Sequence, residues 1–503
     1  MGIFYPAAVA AVVLGTVYSI WTVIYRLYFD PLAKYPGPLL NRISPIPSII
    51  SLLKGRIALD VKRWHDQYGP VIRVTPTELS FNSVAAWEDI YGHRQGLKNM
   101  HKDPVHVGSV APLAGVSTLT MANDDDHARQ RRALAYAFSN KALLEQEHIV
   151  QGYVDLLLEK MTAKQTAGVD VNLVDYLNYT TFDIIGDLAF GEPFGCLSAE
   201  MFHDWVSLVF ETIKVGALEQ ATRRLATAGG SFQTFLVNRI PQYMRDLRVS
   251  HLTRSREKVL KRLAQKDLEH RDFIWYILQQ QKRHDLKQDE IIVNGALFIV
   301  AGSETTANLL SGLFARLIWN PDKYAKLVEE LRSNIKDPAD LVSEKLKELP
   351  YMNACIEEGL RIHPPVPVGL LRTVPKGGAY IDGNFVVEGT SVAVNSWAAC
   401  HNPVNFKDCD SFIPERWIDE KYASDQKKAM QPFSLGPRGC IGRHLSYMEM
   451  RVILGRLLWN FDIVSTDGAW KWNPEGELKH MRAFNTWEKP ELMIKLVPVV
   501  HNK

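Results

Sequence analysis

The stretch FSLGPRGCIG, residues 433–442, decides how the rest of the chain is read. It sets one cysteine, Cys440, among three glycines, a proline and an arginine. Glycines let a backbone pass close beneath a flat ligand and adopt positive φ angles, so Gly436, Gly439 and Gly442 are expected to do both. The amides after Cys440 can point back at its sulfur, softening the charge of a metal-bound thiolate. Phe433 would keep water off that sulfur. Arg438, two residues upstream, can reach a carboxylate of the ligand. A free thiol ionises near pH ~8.5, and ligation to a metal is what would keep it deprotonated.

The rest of the composition frames this loop. A chain of 503 residues, 46% hydrophobic and 23% charged with a formal net charge of +2, can bury a large core and is not a disordered or nucleic-acid-binding sequence. Its length allows about three domains or one large fold. The five cysteines form no CxxC pair, which argues against a disulfide framework or structural zinc and for a reducing compartment. Cys196, Cys355, Cys400 and Cys409 read as small buried hydrophobes.

Residues 2–25 carry no charge, and as a helix they span about 36 Å against a bilayer core of about 30 Å. The first basic residue, Arg26, follows the apolar run, whereas a cleaved signal peptide would carry its basic residue in front. Trp21, Tyr25 and Tyr28 crowd the same end, as an interfacial belt does. With Arg26, Lys34 and Arg42 all C-terminal to the span, the positive-inside rule leaves the remainder in the cytosol. This predicts a single N-terminal anchor over 1–28, with the endoplasmic reticulum membrane as its site. Residues 29–48 form a stiff proline-rich hinge, in which Pro36, Pro38, Pro45 and Pro47 should prevent helix. The catalytic body occupies 49–503.

Apolar spacing predicts helices over 124–163, 170–190, 200–217 and 249–281, and short strands over 71–76 and 79–82. Between about 363 and 396, the turn signals Gly377-Gly378 and Asp382-Gly383 separate short β-branched runs, as in hairpins. The longest apolar helix, 291–320, is closed by Pro321. It is apolar nearly all round, which predicts a buried central helix. Asn294, Glu304, Asn308 and Arg316 argue against a second membrane span.

FSLGPRGCIG resembles the haem-binding signature FxxGxRxCxG of the cytochrome P-450 superfamily, with every fixed position present. The resemblance implies a mainly α fold with small β-sheets, a heme b cofactor, and Cys440 as the axial thiolate ligand of its iron. Other motifs follow in family order. AGSETT, residues 301–306, resembles [AG]-G-x-[DE]-T-[ST]. There Ala301 and Gly302 would let the helix open locally beside the haem, and Glu304 and Thr305 would deliver protons into an apolar pocket. EEGLRIHPP resembles ExxR, with Glu358 and Arg361 on one helical face. EELR gives Glu329 and Arg332 the same spacing, but the helix-ending prolines and the downstream PERW select the second copy. Arg416 would complete its buried ion network. DDDHARQRRALAYAF has acids where a helix dipole favours them and is similar to the family's haem-propionate helix, with His127 and Arg131 as its pair. Arg129 and Arg132, on another side, suit an acidic electron donor. Arg372 resembles a further propionate-binding arginine. Phe433, Gly436, Arg438 and Gly442 complete the implied cofactor contacts.

The resemblance also implies O2, electrons from an NADPH-cytochrome P-450 reductase, and a lipophilic small-molecule substrate. The stretches DDDHARQRRALAYAFS and VPKGGAYIDG are similar to oxygenases of filamentous-fungal secondary metabolism that act on trichothecenes or averantin-type polyketides. That implies a terpenoid, polyketide or alkaloid substrate and hydroxylation. By family analogy its pocket draws on residues 92–120, the central helix near Phe298, the turn 366–370 and the segment around Phe484. Oxidative coupling, ring formation or desaturation would use the same oxidant. A non-catalytic haem carrier would leave Glu304 and Thr305 without a task.

Overall fold

The computed structural model describes residues 4–94, 99–265, 270–472 and 478–501. Its organising element is the helix Gln288–Ile318, buried continuously from Glu290 to Ile299 and again from Thr306 to Ala315. A helix without a solvent face has to be covered on every side, and helices Leu173–Phe190, Gln242–Ala264, Pro350–Ile362 and Arg443–Asn460 pack against it. It is long and apolar enough to cross a membrane, yet 78% of its most apolar window lies inside the fold. It is the core helix that its sequence predicts.

The expected mainly α architecture with small sheets is present. One five-stranded sheet runs in the order Val71–Thr75, Glu78–Phe81, Ser391–Val394, Arg372–Thr373, His101–Lys102. Its one parallel pairing joins Glu78–Phe81 to Ser391–Val394. The hairpin Ala379–Ile381/Asn384–Val386 turns on Asp382 and Gly383, both at positive φ as such a two-residue turn requires. A second sheet pairs Met493–Pro498 with Val171–Asn172 and Phe461–Ser465.

Two predicted helices are each divided. The span 124–163 breaks into Asp124–Leu134 and Asn140–Thr166, because Ser139 accepts the Ala142 N–H as an N-cap and starts a new helix. The span 249–281 breaks into Gln242–Ala264 and Phe273–Gln281, and Asp272 caps the second at 2.7 Å to the Trp275 N–H. Apolar periodicity continues across both breaks, and the cap residues decide where each helix begins. The predicted 170–190 starts at Leu173, since Val171–Asn172 joins the second sheet, and 200–217 is extended to Asp204–Leu225.

The proline-rich segment is not free of helix. Leu39–Ile43 and Ile46–Leu53 are both helical, with Pro38 as the N-cap of the first and a proline in the first turn of the second. In a first turn, proline forgoes only an N–H that has no partner within the helix. Nor is the segment loose. The fully buried Arg73 guanidinium pairs with Asp30 at 3.0 Å and donates to Arg26 O at 2.8 Å, stapling the segment onto the first strand. Ahead of it, Phe4–Ile24 is an α-helix continued by a π-turn, Tyr25–Phe29. The stretch Ala8–Phe29 is apolar, wholly unburied, and long enough to be a membrane anchor.

Candidate active site

The cysteine loop is held by its own backbone. The Cys440 N–H donates to Phe433 O at 2.7 Å, and the Gly442 N–H points back at the sulfur. Gly436 has φ +65, and a Cβ there would sit 2.1 Å from Tyr91 O, so no other residue fits. Gly439 and Gly442 have φ −58 and −87. The positive φ expected of the loop glycines is therefore confined to Gly436, and what approaches it is the Tyr91 backbone. Phe433 packs its ring 5.4 Å from Tyr447 and lines the same cavity as Cys440. Burial pushes the Cys440 thiol up, while the Gly442 amide, Arg131 and Arg443 draw it down. The other four cysteines are buried, as expected.

Cys440 opens onto a cavity of about 410 Å³. The segments expected from family analogy all reach it, through His106, Thr120, Phe298, Val366, Leu370 and Phe484. Of the expected 92–120 loop, residues 95–98 lie outside the described residues. The sequence reading missed two further walls. One is a face of helix Asp204–Leu225, including Gln220 and Arg224, and the other is the strand edge at Glu78 and Ser80. Neither carries a motif, so only tertiary placement brings them to the cavity.

Cations gather near the cysteine with few anions among them. Arg438 donates to Ala122 O and to Asp124 at 3.0 Å, but its buried Nη1 has no partner. Arg372 is buried, borders Arg438 in a small adjoining pocket, and among the described residues donates only to its neighbour Leu371 O. Lys102, which sequence reading did not single out, lines the main cavity, and its Nζ finds His106 Nε2 at 3.4 Å. Burial, with Arg372 and Arg438 nearby, holds the Lys102 ammonium down at about 7. His127 is pushed down to about 4 by burial, then by Arg438 and Arg131, and stands neutral. Buried cations that outnumber the carboxylates beside them call for an anionic ligand. The two carboxylates of a haem, over a sulfur donor, fit this set. Arg131 Nη1 donates to Gly439 O at 2.7 Å, which braces the cysteine loop, and neither His127 nor Arg131 lines the main cavity. Arg129, expected to meet an electron donor, pairs with Glu290 at 2.6 Å and Asp126 at 2.9 Å. Arg132 is exposed.

Across the cavity, Ala301 and Thr305 line the wall, whereas Glu304 lies behind it. The helix is unbroken through AGSETT. Thr305 Oγ1 donates to Ala301 O at 2.8 Å, and a Cβ at Gly302 would come 2.7 Å from Ile185 Cδ1. Gly302 therefore serves close helix packing, and the expected local opening is absent. Glu304 is 4% exposed, accepts from Lys489 Nζ at 2.7 Å and from Asn308 at 2.8 Å, and keeps one oxygen without a partner. Burial pushes its carboxyl up, against the pull of Lys489.

The ion network forms as its spacing predicts. Arg361 grips Glu358 with two bonds, at 2.8 and 2.7 Å, and Arg416 approaches the same carboxylate at 3.4 Å, all fully buried. The sequence did not reveal Asp425, which pairs with Arg416, or Trp417, whose indole N–H donates to Glu358 at 3.0 Å. In the rejected copy, Glu329 is exposed and Arg332 pairs with Asp462 instead.

The family model for cytochrome P-450 matches residues 38–482 of this chain. Cytochrome P-450 monooxygenase aba2 of Botryotinia fuckeliana is 43% identical, covering 97% of this chain and 94% of its own length. Cytochrome P-450 monooxygenase ABA2 of Pyricularia oryzae is 42% identical, over 94% of this chain and 93% of its own. Cytochrome P-450 monooxygenase astJ of Aspergillus oryzae is 40% identical, over 96% and 95%.

Proposed function

The chain belongs to the cytochrome P-450 family of monooxygenases, and from that premise we propose that it hydroxylates a lipophilic secondary metabolite of terpenoid, polyketide or alkaloid type. The observation that carries this reading is the sulfur of Cys440 opening onto a largely apolar cavity bordered by unbalanced cations. Haem bound there through the thiolate supplies dioxygen activation. Phe433, Gly436 and Gly442 shape the sulfur side of the cofactor site, and Ala301 the other. Arg438, Arg372 and Lys102 meet the propionates. Thr305 and Glu304 hold and pass protons to the oxygen side, and the Thr305 hydroxyl can turn from Ala301 O to do so. Glu358, Arg361 and Arg416 keep the cysteine side of the fold rigid.

In this reading NADPH-cytochrome P-450 reductase supplies the electrons, and the endoplasmic reticulum membrane holds the apolar N-terminal helix. The exposed Leu39, Leu40, Ile46, Phe232 and Phe235 offer the same membrane a second apolar contact.

The test is product analysis with reductase, NADPH and a panel of lipophilic natural products. A product carrying one oxygen atom from labelled dioxygen is expected, with Cys440→Ser inactive and lacking the thiolate-type carbon monoxide spectrum. Products that have only lost hydrogen would move the assignment to coupling or desaturation. An intact thiolate spectrum in Cys440→Ser would overturn the ligand assignment.

A further inference from the structure

One cavity wall is built against the needs of a plain hydrocarbon. Helix Asp204–Leu225 turns Thr212, Gly216, Gln220 and Arg224 toward the cavity. Residues spaced by four share a helical face, and an apolar ligand would ask for Leu or Val at each of these places. Instead the face is polar and recessed: a Cβ at Gly216 would meet nothing within 4 Å. The Gln220 amide lines the cavity without a hydrogen-bond partner among the described residues. The Thr212 hydroxyl donates to Val209 O at 2.7 Å, which leaves its oxygen able to accept. Arg224 has Nη1 on Ser48 at 2.6 Å and Nη2 on Glu78 at 2.9 Å, with Nε buried and unpartnered. Its guanidinium is already balanced by Glu78, and both side chains are largely withdrawn from solvent.

Granting that this cavity receives the substrate, we propose that the face of Thr212 and Gln220, beside the ion-paired Arg224, holds a neutral oxygen function of it. The substrate is then a lipophile already bearing a hydroxyl or carbonyl group, and its apolar body lies toward Cys440. The Gln220 amide faces the cavity, and a hydrocarbon that displaced water from it would leave it unpaired at a cost of about 1–3 kcal/mol, which an oxygen-bearing ligand avoids. A carboxylate would bring an extra charge to an arginine that Glu78 has already neutralised, and burying an unpaired charge is costly. The reaction that supplies the substrate is therefore one that leaves a hydroxyl or carbonyl group on a lipophilic skeleton.

The test uses the full-length, haem-loaded protein and optical titration of the Soret band with farnesene, farnesol and farnesoic acid. Farnesol is expected to bind about tenfold or more tightly than farnesene, since sites built to hydrogen-bond a ligand discriminate strongly against its apolar analogue. Gln220→Leu combined with Thr212→Val should reduce that ratio to about threefold or less, by weakening farnesol and tightening farnesene. Equal binding of farnesol and farnesene by the unaltered protein overturns the inference, as does full discrimination in the double variant. Tighter binding of farnesoic acid than of farnesol overturns the neutral-oxygen assignment. Binding of none of the three, with the thiolate-type spectrum intact, overturns the underlying reading of the cavity as a lipophile site.

Discussion

Lys489 Nζ lies 2.7 Å from Glu304 Oε1, and each side chain is 4% exposed. The lysine comes from the segment after strand Trp487–Glu488 and also donates to Asn178 at 3.3 Å, tying three parts of the chain to one carboxylate. Glu304 is thus a buried acid whose charge depends on a single cation. Burial pushes its carboxyl up, and Lys489 opposes that.

Lys489→Met should therefore shift Glu304 further toward its protonated form and cut product formation several-fold, with more reducing equivalents lost to peroxide. The carbon monoxide spectrum should stay intact, and Lys489→Arg should restore most activity. Breaking a buried pair typically costs about 3–5 kcal/mol, but protonation of Glu304 limits the loss. The deficit in thermal stability should narrow as pH falls, because in acid the unaltered protein loses the pair as well. Unchanged coupling of NADPH to product in Lys489→Met would remove Glu304 from proton delivery.

The cations facing the cavity predict opposite effects in the two cofactor states. The Lys102 ammonium is held down at about 7 by burial and by Arg372 and Arg438. Its unfolded value is near 10.4, so the haem-free fold loses stability as pH falls from about 10 toward 7, by up to roughly 1.4 kcal/mol per unit. Haem-free Lys102→Met should lack that slope and melt higher than the unaltered protein at pH 7. Haem-loaded Lys102→Met should instead release haem several-fold faster to an acceptor protein. Slower release would separate Lys102 from the propionates.

The contrast between motif and context explains what the sequence disclosed. Cys440, Arg438, Glu358 and Arg361 sit in short stretches whose local chemistry is distinctive, so they are readable without a fold. Gln220, Arg224, Lys102 and Lys489 each look like ordinary surface residues in sequence. They acquire a task only when helix Asp204–Leu225, strand His101–Lys102 and the C-terminal segment close around the cavity. The helix breaks at Ser139 and Asp272 escaped for a different reason: apolar periodicity runs through them, and the deciding signal is a single capping side chain.

The buried ion network predicts a graded series. Glu358→Ala would leave the buried Arg361 guanidinium without its carboxylate and Arg416 with Asp425 alone, at a cost of about 3–5 kcal/mol. Little folded, haem-containing protein should be recovered. Trp417→Phe removes only the indole hydrogen bond to Glu358. It should cost about 1 kcal/mol and keep both haem and activity, as thermal melts and the Soret absorbance would record. Equal losses in the two variants would mean that indole packing, and not the charge network, dominates here.

Glu449, in helix Arg443–Asn460 beyond the cysteine loop, has no part in the proposed chemistry, and both its oxygens are buried with no cation paired to them among the described residues. Burial pushes its carboxyl up to about 8, opposed by the Thr306 hydroxyl. In an unfolded chain it would titrate near 4.3. Below that value both states are protonated, and the group is neutral to stability. Between about 4.3 and 8 the unfolded state has lost the proton and the fold has kept it, so stability falls with rising pH by up to roughly 1.4 kcal/mol per unit. Above about 8 both states are ionised, and the full penalty remains. Glu449→Gln should abolish this slope, melting close to the unaltered protein at pH 4 to 5 and clearly higher at pH 8. Parallel pH–stability curves for the two proteins would show that the carboxyl titrates normally in the fold.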